Sequence, residues 1–339
     1  MNRVNGKSGD RTHEVVMITG ASAGVGRAIT REFANRQASI GLIARGKQRL
    51  EAAKAEVEEK GGRALTFSID VADSAAVENA AQTLENEFGP IDIWINNAMT
   101  TIFAPLSEIT PEEFRRATEV TYLGCVYGTM AALRRMLPRD KGTIVQIGSA
   151  LAYRSIPLQA PYCGAKHAIV GFTDSLRSEL IHNRSNVHVT VVHLPAVNTP
   201  QFSWCRTRLP RHPQPVPPIF EPEVPARAVY WAAHHKRREV FVGIPTIKAI
   251  YAQDVAPGFA DWYLGKNGYS SQQTDQPVPA NRPDNLFAPV EGDYEAHGIF
   301  DAVAKPYSGQ NWVNLHRVPI ALIAASVAGA AALFWKAKK

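Results

Sequence analysis

Short apolar runs alternate with longer segments of helical period from residue 14 to the "EVFVG" near residue 240, and this alternation limits the fold more than any single residue does. "VVMITG", "ASIGLIAR", "ALTFSIDV", "IDIWINNA", "GTIVQIGSA" and "VHVTVVHLPA" read as six strands, and "EVFVG" as a seventh. Between them lie helical stretches, among them "KQRLEAAKAEVEEKG", closed by Gly61 and Gly62, and "DSAAVENAAQTLENEFG", with Asp73 or Ser74 as its cap. "PEEFRRATEVTYLGCVYGTMAALRRML" reads as one long helix, and "APYCGAKHAIVGFTDSLRSELI" as another. Strands that are apolar throughout and separated by helices form a parallel sheet covered on both faces. The expectation is an α/β domain, a doubly wound parallel sheet, over residues 13–245.

The first strand runs into "TGASAGVG", which places Gly20, Gly24 and Gly26 between a strand and a helix. Glycines there let the backbone approach a pyrophosphate, and the helix behind them directs N–H groups and the positive end of its dipole at the charge. The second strand ends at Ala44-Arg45, followed by Lys47, with no acidic residue in reach. An acid at this point binds ribose hydroxyls, whereas an arginine accommodates a 2′-phosphate. NADP(H) is therefore expected over NAD(H), by roughly ten- to hundredfold for one charged hydrogen bond.

Tyr162 and Lys166 in "YCGAK" are four residues apart, one turn on one helix face. Alone, that spacing fits an ordinary polar helix face as well as a catalytic pair. With "TGASAGVG", Asp70-Val71, "NNA" at 96–98, Ser149 thirteen residues before Tyr162, and "LPAVNT" ending at Thr199, the chain resembles the short-chain dehydrogenase/reductase family over about residues 13–245. The wording of "EVTYLG" and "SALAYRSIPLQAPYCGAKHA" is similar to a bacterial subgroup with a long C-terminal extension.

The resemblance implies a Rossmann-type sheet and hydride transfer between a nicotinamide and a carbonyl or alcohol. Tyr162 is then the general acid/base, and Ser149 holds the substrate oxygen. Lys166 lowers the phenol's ordinary pKa of ~10 and holds the nicotinamide ribose. It further implies cofactor contacts at Gly20, Ser22, Gly24, Val25, Gly26, Asp70, Val71, Asn97, Ala98, Tyr162, Lys166, Pro195, Val197 and Thr199, beside Arg45. Thr121 stands where the family carries an asparagine that organises a lysine-linked water, and is taken as a catalytic position with a hydroxyl in place of an amide. Met99 replaces a glycine beside the nicotinamide, and Pro195-Ala196 replaces Pro-Gly. The other reading is a cofactor-binding sensor or scaffold that keeps the fold without turnover.

The proline-dense "PQFSWCRTRLPRHPQPVPPIFEPEVP" cannot continue a helix or inner strand, and is expected to cover the crevice beyond the sheet. Residues 49–60 read as a solvated helix face. Residues 246–315 read as an irregular extension, and 318–335 as a membrane anchor. This last run has no charge, and as a helix it measures about 27 Å against ~30 Å of hydrocarbon. Trp335 suits the interface, and Lys336, Lys338 and Lys339 suit the head groups. The alternative is a helix buried between subunits. The polar N-terminus lacks the apolar core of a secretory signal. The expected location is a membrane, with the enzyme on the cytoplasmic side.

A formal charge of +6 without a Lys/Arg block excludes no partner by itself, but offers no nucleic-acid patch. Three cysteines without metal or redox spacing and ten scattered histidines point to no metal site. The expected partners are a small carbonyl or alcohol substrate, apolar if the tether serves it, and further copies of the chain in a homo-oligomer.

Overall fold

The computed structural model describes residues 13–317. Seven parallel strands form the main sheet: β1 Val15–Thr19, β2 Ser39–Ala44, β3 Arg63–Ser68, β4 Ile93–Asn96, β5 Thr143–Ser149, β6 His188–Leu194 and β7 Glu239–Phe241. Their order is β7-β6-β5-β4-β1-β2-β3. The strand order reverses beside β1, so a crevice opens beyond the carboxyl ends of β1 and β4.

The helices are α1 Gly24–Ala34, α2 Lys47–Glu59, α3 Ser74–Phe88, α4 Pro111–Thr118, α5 Gly124–Met136, α6 Ala160–His182, the short α7 Gln201–Trp204, α8 Glu223–Ala233, α9 Ile244–Val255, α10 Pro257–Asn267 and α11 Gly309–Leu315. The strand period divides them between two faces. Val16 and Ile18 of β1 join Ile29, Phe33, Leu50 and Val229, the core under α1, α2 and α8. Val15 and Met17 join Leu84, Met136 and Leu176, the core under α3, α5 and α6. Each such side chain stabilises the fold by roughly 1.5–3 kcal/mol on full burial. Asp73 caps α3 by accepting from the N–H groups of Ala75 and Ala76, both at 3.0 Å.

Three expectations differ from what the chain does. The long central helix is interrupted by a π-turn at Glu119–Leu123 between α4 and α5, which no apolar period announces. The face of α2 is not solvated throughout, because Arg49, Leu50, Ala53 and Val57 are buried. Residues 246–315 are also less irregular than their pattern, since α9, α10 and α11 lie in or across that range. In α10 only Ala260 is buried, so its apolar residues do not share an inner face and leave no one-sided period to read. The boundary at 245 falls inside α9. The predicted anchor at 318–335 lies outside the described residues. Among the described residues no helix is long and apolar enough to cross a membrane.

Candidate active site

The glycine turn is held shut by its neighbours. Gly20 and Gly24 adopt φ of 66° and 56°, the left-handed region that favours glycine. A Cβ on Gly26 would overlap the Gly20 carbonyl oxygen, so only glycine lets α1 start this close to β1. Asn97 fixes the turn to the end of β4, its Nδ2 donating to Thr19 O at 3.0 Å and Gly20 O at 3.2 Å. The Thr19 hydroxyl accepts from the N–H groups of Asn97 and Ala98, each at 3.0 Å. Thr199 comes from the far side of the crevice to lie against Gly24.

Ser149 ends β5 and caps the short turn that follows, its Oγ accepting from Leu151 N at 3.1 Å. Tyr162 sits in the first turn of α6, close enough to Ser149 for that hydroxyl to act on its phenol. Lys166, one turn on, is 2% exposed and donates from Nζ to Ile147 O at 2.6 Å. Its ammonium lies 5.5 Å from the centroid of the Tyr162 ring. Burial pushes the Tyr162 phenol above its ordinary value, and the nearby Ser149 hydroxyl works in the opposite direction. Burial pulls Lys166 down to about 8.

The Thr121 hydroxyl is occupied elsewhere. It donates to Thr100 O at 3.0 Å and accepts from Thr100 N at 3.1 Å, which ties the π-turn to the loop after β4. Asp70 also has a protein partner, the guanidinium of Arg116.

The C-terminal extension folds back over the other end of the crevice. Arg45 donates to the carbonyls of Asn285 and Leu286, so its guanidinium is tied to the extension. Gly24 N donates to Glu295 O at 2.9 Å. Asn198, beside Thr199, donates from Nδ2 to Asp301 Oδ1 at 2.6 Å and accepts from Phe300 N at 3.0 Å. The proline-dense segment lies over the crevice as well, with Phe202 and Trp204 both buried and lining it.

Arg49 was not singled out by its sequence position. Its guanidinium lies 4.9 Å from the ring of Trp204 and 5.8 Å from that of Tyr294. It is 7% exposed, lines the cleft beside Gly46, and its Nε and Nη1 have no hydrogen-bond partner. Unpartnered buried donors of a charged group are costly, and an anion in the cleft is what they would satisfy. The available signal was its position, in the first turn of α2 and four residues after Arg45.

One continuous cleft of about 600 Å³ joins these parts. Gly20, Ser22, Gly24, Val25, Gly26, Arg45, Asp70, Val71, Asn97, Ala98, Ser149, Tyr162, Lys166, Pro195, Val197 and Thr199 all line it. Thr121 is not among the lining residues and reaches the site through Thr100, which is. A glycine cradle that a Cβ would fill, and an arginine with free donors further along, fit a phosphate-bearing dinucleotide.

The family model described as short chain dehydrogenase matches residues 14–208. The chain belongs to the short-chain dehydrogenase family. Its relatives include a Bacillus subtilis (strain 168) protein, "Uncharacterized oxidoreductase YxnA", 31% identical over 276 residues, which are 81% of this chain and 78% of that one. Human 17-beta-hydroxysteroid dehydrogenase 13 is 36% identical over 167 residues, 49% of this chain and 56% of that enzyme. The chain thus spans little more than half of the human enzyme. A crystal structure of a short chain dehydrogenase from Mycobacterium paratuberculosis, bound to NAD, shares the fold with a TM-score of 0.60. It is 24% identical, and the match covers 68% of this chain and 97% of that one. As a member of this family the chain is an NAD(P)-dependent oxidoreductase in the general sense.

Proposed function

We propose that this short-chain dehydrogenase is an NADP(H)-dependent oxidoreductase acting on a carbonyl or alcohol group, with Tyr162 as its proton donor and acceptor. The observation that carries the reading is the meeting of Ser149, Tyr162 and buried Lys166 in the same cleft as the glycine turn. A nicotinamide dinucleotide, when bound, supplies or accepts the hydride.

The chain's own residues do the rest. Gly20, Gly24 and Gly26 admit the pyrophosphate to the N-terminus of α1. Arg49, with Arg45 beside it, supplies the charge for a 2′-phosphate. Ser149 donates to the substrate oxygen and steadies charge developing there. In the reductive direction Tyr162 gives its phenolic proton to that oxygen. Desolvation alone makes the phenol a poor acid, so a nearby positive charge is required. Lys166 provides it, and with a pKa of about 8 it remains largely protonated at neutral pH. Thr121 supports the reaction by clamping Thr100 and so positioning the loop beside the nicotinamide.

The uncharged run 318–335 is proposed to tether the enzyme to a membrane, with the catalytic domain on the cytoplasmic side, and a homo-oligomer is expected. Full-length protein that stays monodisperse in the supernatant after high-speed centrifugation without detergent would refute the tether.

The test of the activity needs no prior substrate. NADPH and NADH are titrated into the full-length protein in detergent, followed by fluorescence, and carbonyl compounds are then screened with wild type and Tyr162→Phe. NADPH binding at least about tenfold tighter than NADH, with turnover lost in Tyr162→Phe, is the expected result. Folded protein that binds neither nucleotide, or turnover unchanged by Tyr162→Phe, overturns it.

A further inference from the structure

The geometry points to the α9–α10 hairpin as a bilayer-docking surface that passes an apolar carbonyl or alcohol from the lipid to Tyr162. The inference rests on the oxidoreductase reading of the cleft and names the kind of substrate and the surface that supplies it.

The hairpin is poorly buried for its composition. Among the residues of α10 only Ala260 is buried, while Phe259, Trp262 and Tyr263 are each at least half exposed. In α9 Thr246 and Ile250 are buried, while Tyr251 is 65% and Val255 81% exposed. A helix of this length is marginal in water without a packed face. A contiguous apolar patch of this kind marks a surface that something covers.

The same two helices wall the outer end of the cleft through Thr246, Ala249, Ala252, Phe259, Tyr263 and Leu264. They are coupled to the catalytic end by Arg154, which lies five residues after Ser149. Arg154 donates to Gln253 of α9 at 2.6 Å and pairs with Asp261 of α10. The outer patch and the inner apolar wall therefore belong to one element and meet at Phe259 and Tyr263, which are exposed and also line the cleft.

Three features select a bilayer as the occupant. Trp262 and Tyr263 lie beside Lys266, whose ammonium sits 4.5 Å from the Trp262 ring, a combination of aromatic and cationic groups that suits a head-group boundary. A second protein copy seated there would cover the outer wall of the cleft, whereas a lipid layer would supply substrate to it. Lastly, α11, the last described helix, is fastened to the same edge of the sheet from which α9 leaves. Gln310 of α11 accepts from Gly243 N at 2.7 Å and donates to Phe241 O at 3.1 Å, at the point where β7 passes into α9.

The test uses the full chain with phosphatidylcholine–phosphatidylglycerol vesicles whose acyl chains are brominated. Trp262 emission, taken as the difference between wild type and Trp262→Phe, is expected to be quenched by the bromine and shifted to the blue. Equal quenching in both proteins overturns the inference. So does a failure to bind vesicles, or a dimer that buries Trp262 away from bromine.

A triple variant, Tyr251→Glu with Val255→Glu and Trp262→Glu, alters residues outside the cleft lining. Its NADPH affinity and its turnover of a short water-soluble ketone are expected to match wild type. Its kcat/KM for a long-chain aliphatic ketone held in vesicles is expected to fall at least about tenfold. Equal loss on both ketones would reduce the hairpin to a structural support and overturn the inference. Quenching of Trp262 in a wild type that turns over neither ketone supports the bilayer contact while refuting the hydride-transfer reading.

Discussion

The Arg49 guanidinium lies 4.9 Å from the ring of Trp204, although one opens α2 and the other belongs to the segment after β6. Tyr294, from the C-terminal extension, meets the same indole edge-on at 4.7 Å. Two distant stretches of chain therefore enclose a cation carried by a third, at the end of the cleft nearest β2. The enclosure keeps Arg49 out of water while leaving two of its nitrogens without a partner.

Cofactor choice should follow Arg49 more than Arg45. Arg49→Leu is expected to weaken NADPH binding by roughly ten- to hundredfold and NADH binding little. Arg45→Leu is expected to weaken both, because its guanidinium anchors the carbonyls of Asn285 and Leu286. Parallel titrations of the two nucleotides into the two variants check this. The opposite ranking would return the 2′-phosphate to Arg45.

Gly26→Ala is expected to prevent nucleotide binding, because the added methyl overlaps the Gly20 carbonyl and must push α1 away from β1. Overpacking of this kind costs about 1–3 kcal/mol. Thermal unfolding should register that loss, and titration with NADPH should show no saturable binding.

Lys166 gives the fold a pH dependence of known sign. Its folded pKa, about 8, lies below its ordinary value of 10.5 because burial disfavours the ammonium. Between those values the unfolded chain holds the proton more tightly, so stability contributed at this site rises with pH. Across pH 8 to 10.5 wild type should gain on Lys166→Met, with an upper bound on the order of 3 kcal/mol. Chemical denaturation of both proteins across that range is the measurement.

Glu113 acts at the acid end. Burial opposes its ionisation, but hydrogen bonds from Arg208, the Thr110 N–H and Arg206 hold it at about 2, below its ordinary 4.5. The stability it contributes is complete above pH 4.5 and is lost as pH falls toward 2. Arg206 also pairs with Asp284, so the loss should loosen the extension with it. Glu113→Gln should flatten the fall of Tm between pH 4.5 and 2, and hydrogen exchange should report earlier opening around residues 282–286.

Thr121→Val removes both hydrogen bonds to Thr100 at a buried site, at an expected cost of about 1–3 kcal/mol. If Thr121 only positions the loop after β4, KM for the substrate should rise more than kcat falls. A dominant fall in kcat would return Thr121 to the proton path.

The local sequence determined the strands of the main sheet, the glycine turn and the spacing of Tyr162 and Lys166. Seven apolar runs became seven strands, because a strand buried on both faces can be read from its own residues. The turn at Gly20, Gly24 and Gly26 and the Tyr162–Lys166 spacing were legible for the same reason, since a turn or a helix face involves only near neighbours. Tertiary structure decided what depends on distant chain. The burial of Arg49 needs Trp204 and Tyr294, and the engagement of Arg45 needs Asn285 and Leu286. The hydroxyl of Thr121 is occupied because a π-turn brings it to Thr100. No sequence period encodes such meetings, because they are fixed by how whole elements pack against one another and not by the spacing of residues along any one of them.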